Sequence, residues 1–88
     1  MVEFKIKTNC SKKFTGLVYD KLKELEYNIN PSVNRRERHS LYVYRTRVGY
    51  NTAADERFFN NHRLPEMKLD VFLNCVNRLE DVEKWLGI

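Results

Sequence analysis

The 88-residue chain has the size of one domain, near the lower limit at which a single hydrophobic core holds without disulfides or metals, which excludes repeats and a second domain. Hydrophobic residues at 42%, aromatics at 12% and charged residues at 32% exclude a disordered chain and describe a globular one. No apolar run is long enough to span a bilayer, and "MVEFKIKTN" alternates charged with apolar residues where a signal peptide is uniformly apolar, so a cytoplasmic protein is expected.

In "VEFKIKT", Val2, Phe4 and Ile6 alternate with Glu3, Lys5 and Lys7, the period of a half-buried first strand. The period then changes. In "SKKFTGLVYDKLKELEY", Phe14, Leu17, Val18, Leu22 and Leu25 recur at helical spacing, while Lys13, Asp20, Lys23 and Glu24 fall largely on the other side. Ser11 supplies an N-cap and the proline of "NINP" a stop, which predicts a helix over about residues 11 to 27. Gly16 costs that helix roughly 1 kcal/mol against alanine and suits close packing on a sheet.

"PSVNRRERHS" reads as a loop, with room for a short edge strand at Val33. "LYVYRTRVGY" is rich in β-branched and aromatic residues and predicts a second strand, with Tyr42, Tyr44, Thr46, Val48 and Tyr50 on one face and Leu41, Val43, Arg45 and Arg47 on the other. In "GYNTAADE", Gly49 and Asn51 suit a turn, and Thr52 and Asp55 have capping-box spacing for one short helical turn. "RFFNNHRL" fits either a third strand pairing back on the second or the end of that short helix. Behind Asp70 as N-cap, an apolar stripe of Phe72, Cys75, Val76, Leu79, Val82 and Leu86 closed by Gly87 predicts a helix over about residues 70 to 86.

The strand-helix-strand-strand-helix order predicts a single α+β domain over residues 1 to 88, a small sheet with two helices packed on one face and the other face open. Register then matters. With Leu41 and Val43 toward the core, Tyr42, Tyr44 and Tyr50 line the open face; the reverse register buries the tyrosines and exposes Arg45 and Arg47.

The net charge of +4 is uneven, with eleven Lys/Arg against five Asp/Glu in residues 1 to 50 and five against seven in residues 51 to 88. A basic first half implies attraction to a polyanion or an acidic protein. Within it, "RRERHSLYVYRTRVGY" holds five arginines and three tyrosines. Guanidinium groups bind phosphates bidentately and stack on flat rings, and tyrosines stack with unpaired bases. The candidate binding residues are therefore Arg35, Arg36, Arg38, His39, Tyr42, Tyr44, Arg45 and Arg47, set against the plainer reading of core tyrosines and a charge-protected edge strand.

Other constellations are weaker. Cys10 and Cys75 stand apart with no metal-ligand spacing and read as buried or half-buried free thiols in a reducing compartment. His39 and His62 belong to the one residue type that can titrate near neutrality and could act as acid and base in RNA cleavage, though neither lies near a nucleophile in sequence. Asp55 and Glu56 are adjacent and diverge, a poor metal pair, and Glu80, Asp81 and Glu83 form a solvated face that could mate with a basic partner, including a second copy. Trp85 beside the apolar stripe reads as a core anchor, with an interface anchor as the alternative. No glycine-rich phosphate loop, G-x-S-x-G or H-x-x-E-type motif is present, so neither catalysis nor a cofactor is expected.

Arg57 and His62 in "RFFNNH" have the R-x4-H spacing found in an all-helical family of RNases, although Phe58 stands where that family has a polar residue. The short lysine- and asparagine-rich chain, with "NCSKKF", "YNINPSVN" and "FFNNH", resembles in style the small early and counter-defence proteins of T-even-like bacteriophages. That resemblance is one of composition and assigns no residue a role. It implies a protein of the host cytoplasm that binds and inhibits a host enzyme or a defence toxin, as an antitoxin does. Three functions are thus expected in order: a non-enzymatic module binding RNA or other single-stranded nucleic acid; a viral inhibitor of a host protein, with or without RNA; and a small ribonuclease. Dimerisation is left open.

Overall fold

The computed structural model describes residues 1–30, 36–52 and 55–88. It has the expected α+β class: a four-stranded sheet in the order β3-β2-β1-β4, with helices on both faces. The strands are β1 (Phe4–Lys7), β2 (Ser40–Val43), β3 (Val48–Asn51) and β4 (Glu66–Met67), and the helices are α1 (Lys12–Glu24), α2 (Glu56–Asn61), α3 (Leu69–Cys75) and α4 (Leu79–Leu86). β1 lies between β2, to which it is antiparallel, and β4, to which it is parallel.

One face of the sheet is the main core. Phe4 and Ile6 of β1 and Leu41 and Val43 of β2 pack with Val18, Tyr19 and Leu22 of α1, Phe72 of α3 and Val82 of α4, all buried. Phe4 meets Tyr27 edge-on at 6.0 Å and Phe72 at 5.5 Å between ring centroids. Ser11 caps α1 by accepting from the Phe14 N–H. The helix ends at Leu25, short of the proline, because Glu26 adopts a left-handed φ of 68° and the Tyr27 and Glu26 N–H groups turn back to the Leu22 and Lys23 carbonyls. That is the hydrogen-bond pattern of a Schellman stop, with Glu26 in the place glycine prefers.

The segment expected as one strand over 41–50 is a hairpin. β2 and β3 pair through Val43↔Val48, Tyr42↔Gly49 and Leu41↔Tyr50 around a tip at residues 44–47, closed by the Tyr44 N–H donating to the Arg47 carbonyl at 2.9 Å. Facing partners share a face, so Tyr50 lies on the side of Leu41 and Tyr42 on the opposite side with Gly49. A single strand would have put the two tyrosines together. Gly49 and Asn51, expected in a turn, belong to β3. "RFFNNH" is the helix α2 rather than a third strand, and Asp55 is its N-cap, accepting from the Phe58 N–H at 2.9 Å.

The C-terminal helix is broken. Val76 is extended, and the Asn77 and Arg78 N–H groups donate to the Asp81 carboxylate at 2.9 and 3.3 Å, starting α4 afresh. Lys68, not Asp70, occupies the N-cap position of α3. Cys10, Cys75 and Trp85 are exposed, the thiols outside the core and the indole off the stripe expected to bury it. Val33 lies outside the described residues.

The second face, expected to be open, is partly covered by α2. Lys5, Lys7, Ser40 and Tyr42 point to it, and the fully buried Phe59 packs on Lys5, Lys7 and Tyr42. Replacing Phe59 with alanine is expected to cost about 3–5 kcal/mol by the general scale for buried aromatic truncations. Chemical denaturation of Phe59→Ala measures it, and a loss under 1 kcal/mol would mean that α2 does not depend on this ring.

Candidate nucleic-acid interface

α2 is held by polar groups that the strand alternation turns toward it. Lys5, only 6% exposed, donates through Nζ to the Phe59 carbonyl and, at 3.0 Å, to the His62 carbonyl, and its ammonium lies 4.5 Å from the centre of the Phe59 ring. Lys7 pairs with Glu56. The other Glu56 oxygen lies 3.3 Å from His39 Nε2, while His39 Nδ1 is 2.6 Å from Ser40 Oγ. Ser40 Oγ donates to Asn51 Oδ1 at 2.8 Å. This Ser-His-Glu row has the order of a hydrolase triad, but Ser40 is fully buried with its proton given to Asn51, so no substrate reaches it.

Beside this anchored layer the surface is hollow. A cleft of about 680 Å³ is lined by Tyr44 from the hairpin tip and by Asp55, Arg57, Phe58, Asn61, His62, Arg63 and Leu64 from α2 and the segment after it. A second hollow of about 460 Å³ shares Tyr44, Asp55, Phe58 and His62 with the first and runs along β3 past Arg47 and Tyr50. Phe58, next to the buried Phe59 and about 100° around the helix from it, is left 52% exposed. Its ring stands edge-on to Tyr42 at 5.7 Å.

His62 lies at the centre. Its ring lies over Tyr42 at 4.4 Å, Nε2 is 2.9 Å from the Tyr44 hydroxyl, and Nδ1 accepts the Leu64 N–H at 3.4 Å. An accepting Nδ1 places the proton of the neutral ring on Nε2, which then donates to Tyr44. Burial, and then the nearby Lys5 ammonium, hold the imidazole below its ordinary value of 6.5.

The expected binding residues separate by position. Arg45 and Arg47 stand exposed on the hairpin tip, Arg47 stacked on the Tyr44 ring at 4.5 Å and Tyr44 half-buried in the cleft wall. Arg36 is exposed, whereas Arg38 is nearly buried and stacks 3.7 Å above Tyr50. His39 and Tyr42 are buried under α2, His39 in the polar row and Tyr42 beneath His62. Arg35 lies outside the described residues. His39 does not line the cleft with His62; the rings of Phe59 and Tyr42 link them. Arg57 and His62 do share the cleft. Sequence reasoning did not count Asp55, Phe58 or Arg63 among the binding residues; the signal for Phe58 and Arg63 was the aromatic pair flanked by arginines in "RFFNNHR".

Among the described residues, no group of His, Cys, Asp or Glu is placed to hold a metal, and no helix is long and apolar enough to cross a membrane. No family model, curated protein or solved structure matches the chain.

Folding keeps His62 neutral at pH values where the unfolded chain, titrating near 6.5, has taken up a proton. The unfolded state therefore binds more protons there, and stability falls as pH drops from the unfolded value toward the depressed folded one. NMR titration is expected to place the His62 midpoint below 6.5 and to find it raised in Lys5→Met. His62→Gln should flatten this part of the stability profile; a midpoint at or above 6.5 contradicts the burial assigned to the ring.

Proposed function

We propose that the protein binds single-stranded nucleic acid, RNA above all, as a non-enzymatic module, along the cleft between the hairpin tip and α2. The observation that carries this reading is an exposed aromatic ring among arginines. Phe58 presents a phenyl surface to solvent, and Arg57 and Arg63 line the same cleft without an ion-pair partner among the described residues. Unpaired bases stack on such rings with about 1–3 kcal/mol per base and little regard for sequence. Guanidinium groups grip phosphate oxygens in pairs.

The second hollow gives the strand a path. It leads from Phe58 past Arg47 to the edge of β3, around which Tyr50, 51% exposed on the Leu41 side of the sheet, carries Arg38 on its ring. Arg36 extends the charge on the preceding loop. Tyr44 and Asn61 add a hydroxyl and an amide within the cleft for base edges or 2′-hydroxyls. The reading requires no cofactor.

Fluorescence anisotropy with a labelled uridine decamer and its deoxythymidine counterpart, across a salt series, tests it. Binding is expected to weaken steeply with salt, and R45E/R47E to lose at least tenfold in affinity at low salt. The slope of log Kobs against log salt should shrink by roughly 0.7 for each phosphate contact removed. Affinity indifferent to salt, unchanged in the double variant, or replaced by a protein partner that survives RNase treatment in a pull-down would overturn the proposal.

A further inference from the structure

The cleft contains one group that a purely phosphate-gripping surface would avoid. Asp55 lines both hollows, is exposed, and forms no ion pair among the described residues, although Arg57 and Arg63 line the same cleft. One of its oxygens accepts the Phe58 backbone N–H at 2.9 Å, which fixes the carboxylate at the start of α2, on the two hollows that the Phe58 side of the helix also lines. A carboxylate has about four acceptor positions on its two oxygens, so both oxygens can still accept from a ligand.

We infer that Asp55 reads a guanine: the cleft takes an unpaired guanine base, stacked on Phe58, with its N1–H and N2–H donating to the Asp55 carboxylate. This inference rests on the single-strand binding reading above. Of the four bases only guanine presents two neighbouring donors on its Watson–Crick edge. Adenine and cytosine present one amino donor beside a ring nitrogen acceptor, and uracil one N–H flanked by two carbonyls. Each of these sets at least one lone pair against the carboxylate. The approach of an anion to a polyanionic strand is offset by Arg57 and Arg63 in the same cleft, which are available to its phosphates. A bidentate pair of this kind discriminates against the wrong base, and a tenfold preference corresponds to about 1.4 kcal/mol.

The test compares a uridine decamer with decamers carrying a single central guanosine, inosine, adenosine or cytidine, on wild type and Asp55→Asn. Asparagine is as good an N-cap as aspartate, so D55N keeps α2 in place, which circular dichroism and thermal unfolding verify. The guanosine decamer is expected to bind wild type about tenfold more tightly than the uridine decamer, and inosine, lacking the N2 amino group, to fall between them. In D55N the preference for guanosine should collapse to within about twofold. Phe58→Ala should weaken every decamer. Equal wild-type affinity for all five, or a guanosine preference that survives in D55N, overturns the assignment of Asp55 while leaving single-strand binding standing. Failure of every decamer to bind overturns both.

Discussion

The buried ammonium of Lys5 is the contact on which the second face of the sheet depends. Strand alternation turns this residue away from the main core, where a lysine would ordinarily sit in water. Instead it is closed in, and a buried charge without partners is costly. Its partners are the Phe59 carbonyl in the last turn of α2, which also accepts the His62 N–H at 3.2 Å, and the His62 carbonyl at the C-cap. The cation thus meets the negative end of the helix dipole. A helix of six residues does not persist by its own hydrogen bonds; this one is held by a lysine below it, a phenyl ring in the sheet, and the Glu56 bridge to Lys7 and His39. Lys21 repeats the device on the other face, donating to the Leu73 and Val76 carbonyls at the end of the seven-residue α3.

This kind of bond explains which parts of the fold were legible in the chain. β1 and α1 follow from local periodicity, and both lie where the pattern puts them. α2 does not, because its anchor is more than fifty positions away in sequence. "RFFNNH" suits a strand as well as a helix until the sheet offers a lysine to its carbonyls and a pocket to one phenylalanine of the pair. The hairpin tip was hidden for another reason. "YRTR" contains none of the glycine, asparagine or proline that marks a turn, and the Asn28 side chain supports it from outside by donating to the Thr46 carbonyl at 2.8 Å. The break before α4 depends on the Asp81 carboxylate reaching back to Asn77 and Arg78, against an apolar stripe that runs through the break.

The basic and aromatic character of the candidate site was visible in composition, but its membership was not. "RRERHSLYVYRTR" concentrates charge in sequence, whereas the fold distributes it: Arg38 turns onto Tyr50, Tyr42 goes beneath α2, and the tip arginines remain exposed. The cleft joins Tyr44 to residues 55–64 because the hairpin and α2 share one face of the sheet. Two segments that read separately as part of one strand and as a third strand or helix end become the walls of one surface.

Gly49 shows how closely this surface is fitted to its arginines. Its backbone has no need of glycine, being ordinary strand without a positive φ. The fit is spatial: a Cβ there would lie 3.1 Å from a terminal nitrogen of Arg47, on the face the glycine shares with Tyr42, and would push the guanidinium aside by a few tenths of an ångström. The absent side chain leaves room for the guanidinium between β3 and the Tyr44 ring. An arginine stacked this way has already given up part of its rotamer freedom, so gripping a phosphate costs it less than it costs a freely moving side chain. Arg45, two positions before it, is exposed and stacks on no ring among the described residues. The tip thus combines a guanidinium held on a ring with an exposed one, and the proposed binding of a flexible phosphate backbone would use the two differently, the first at little entropic cost and the second by adapting to it.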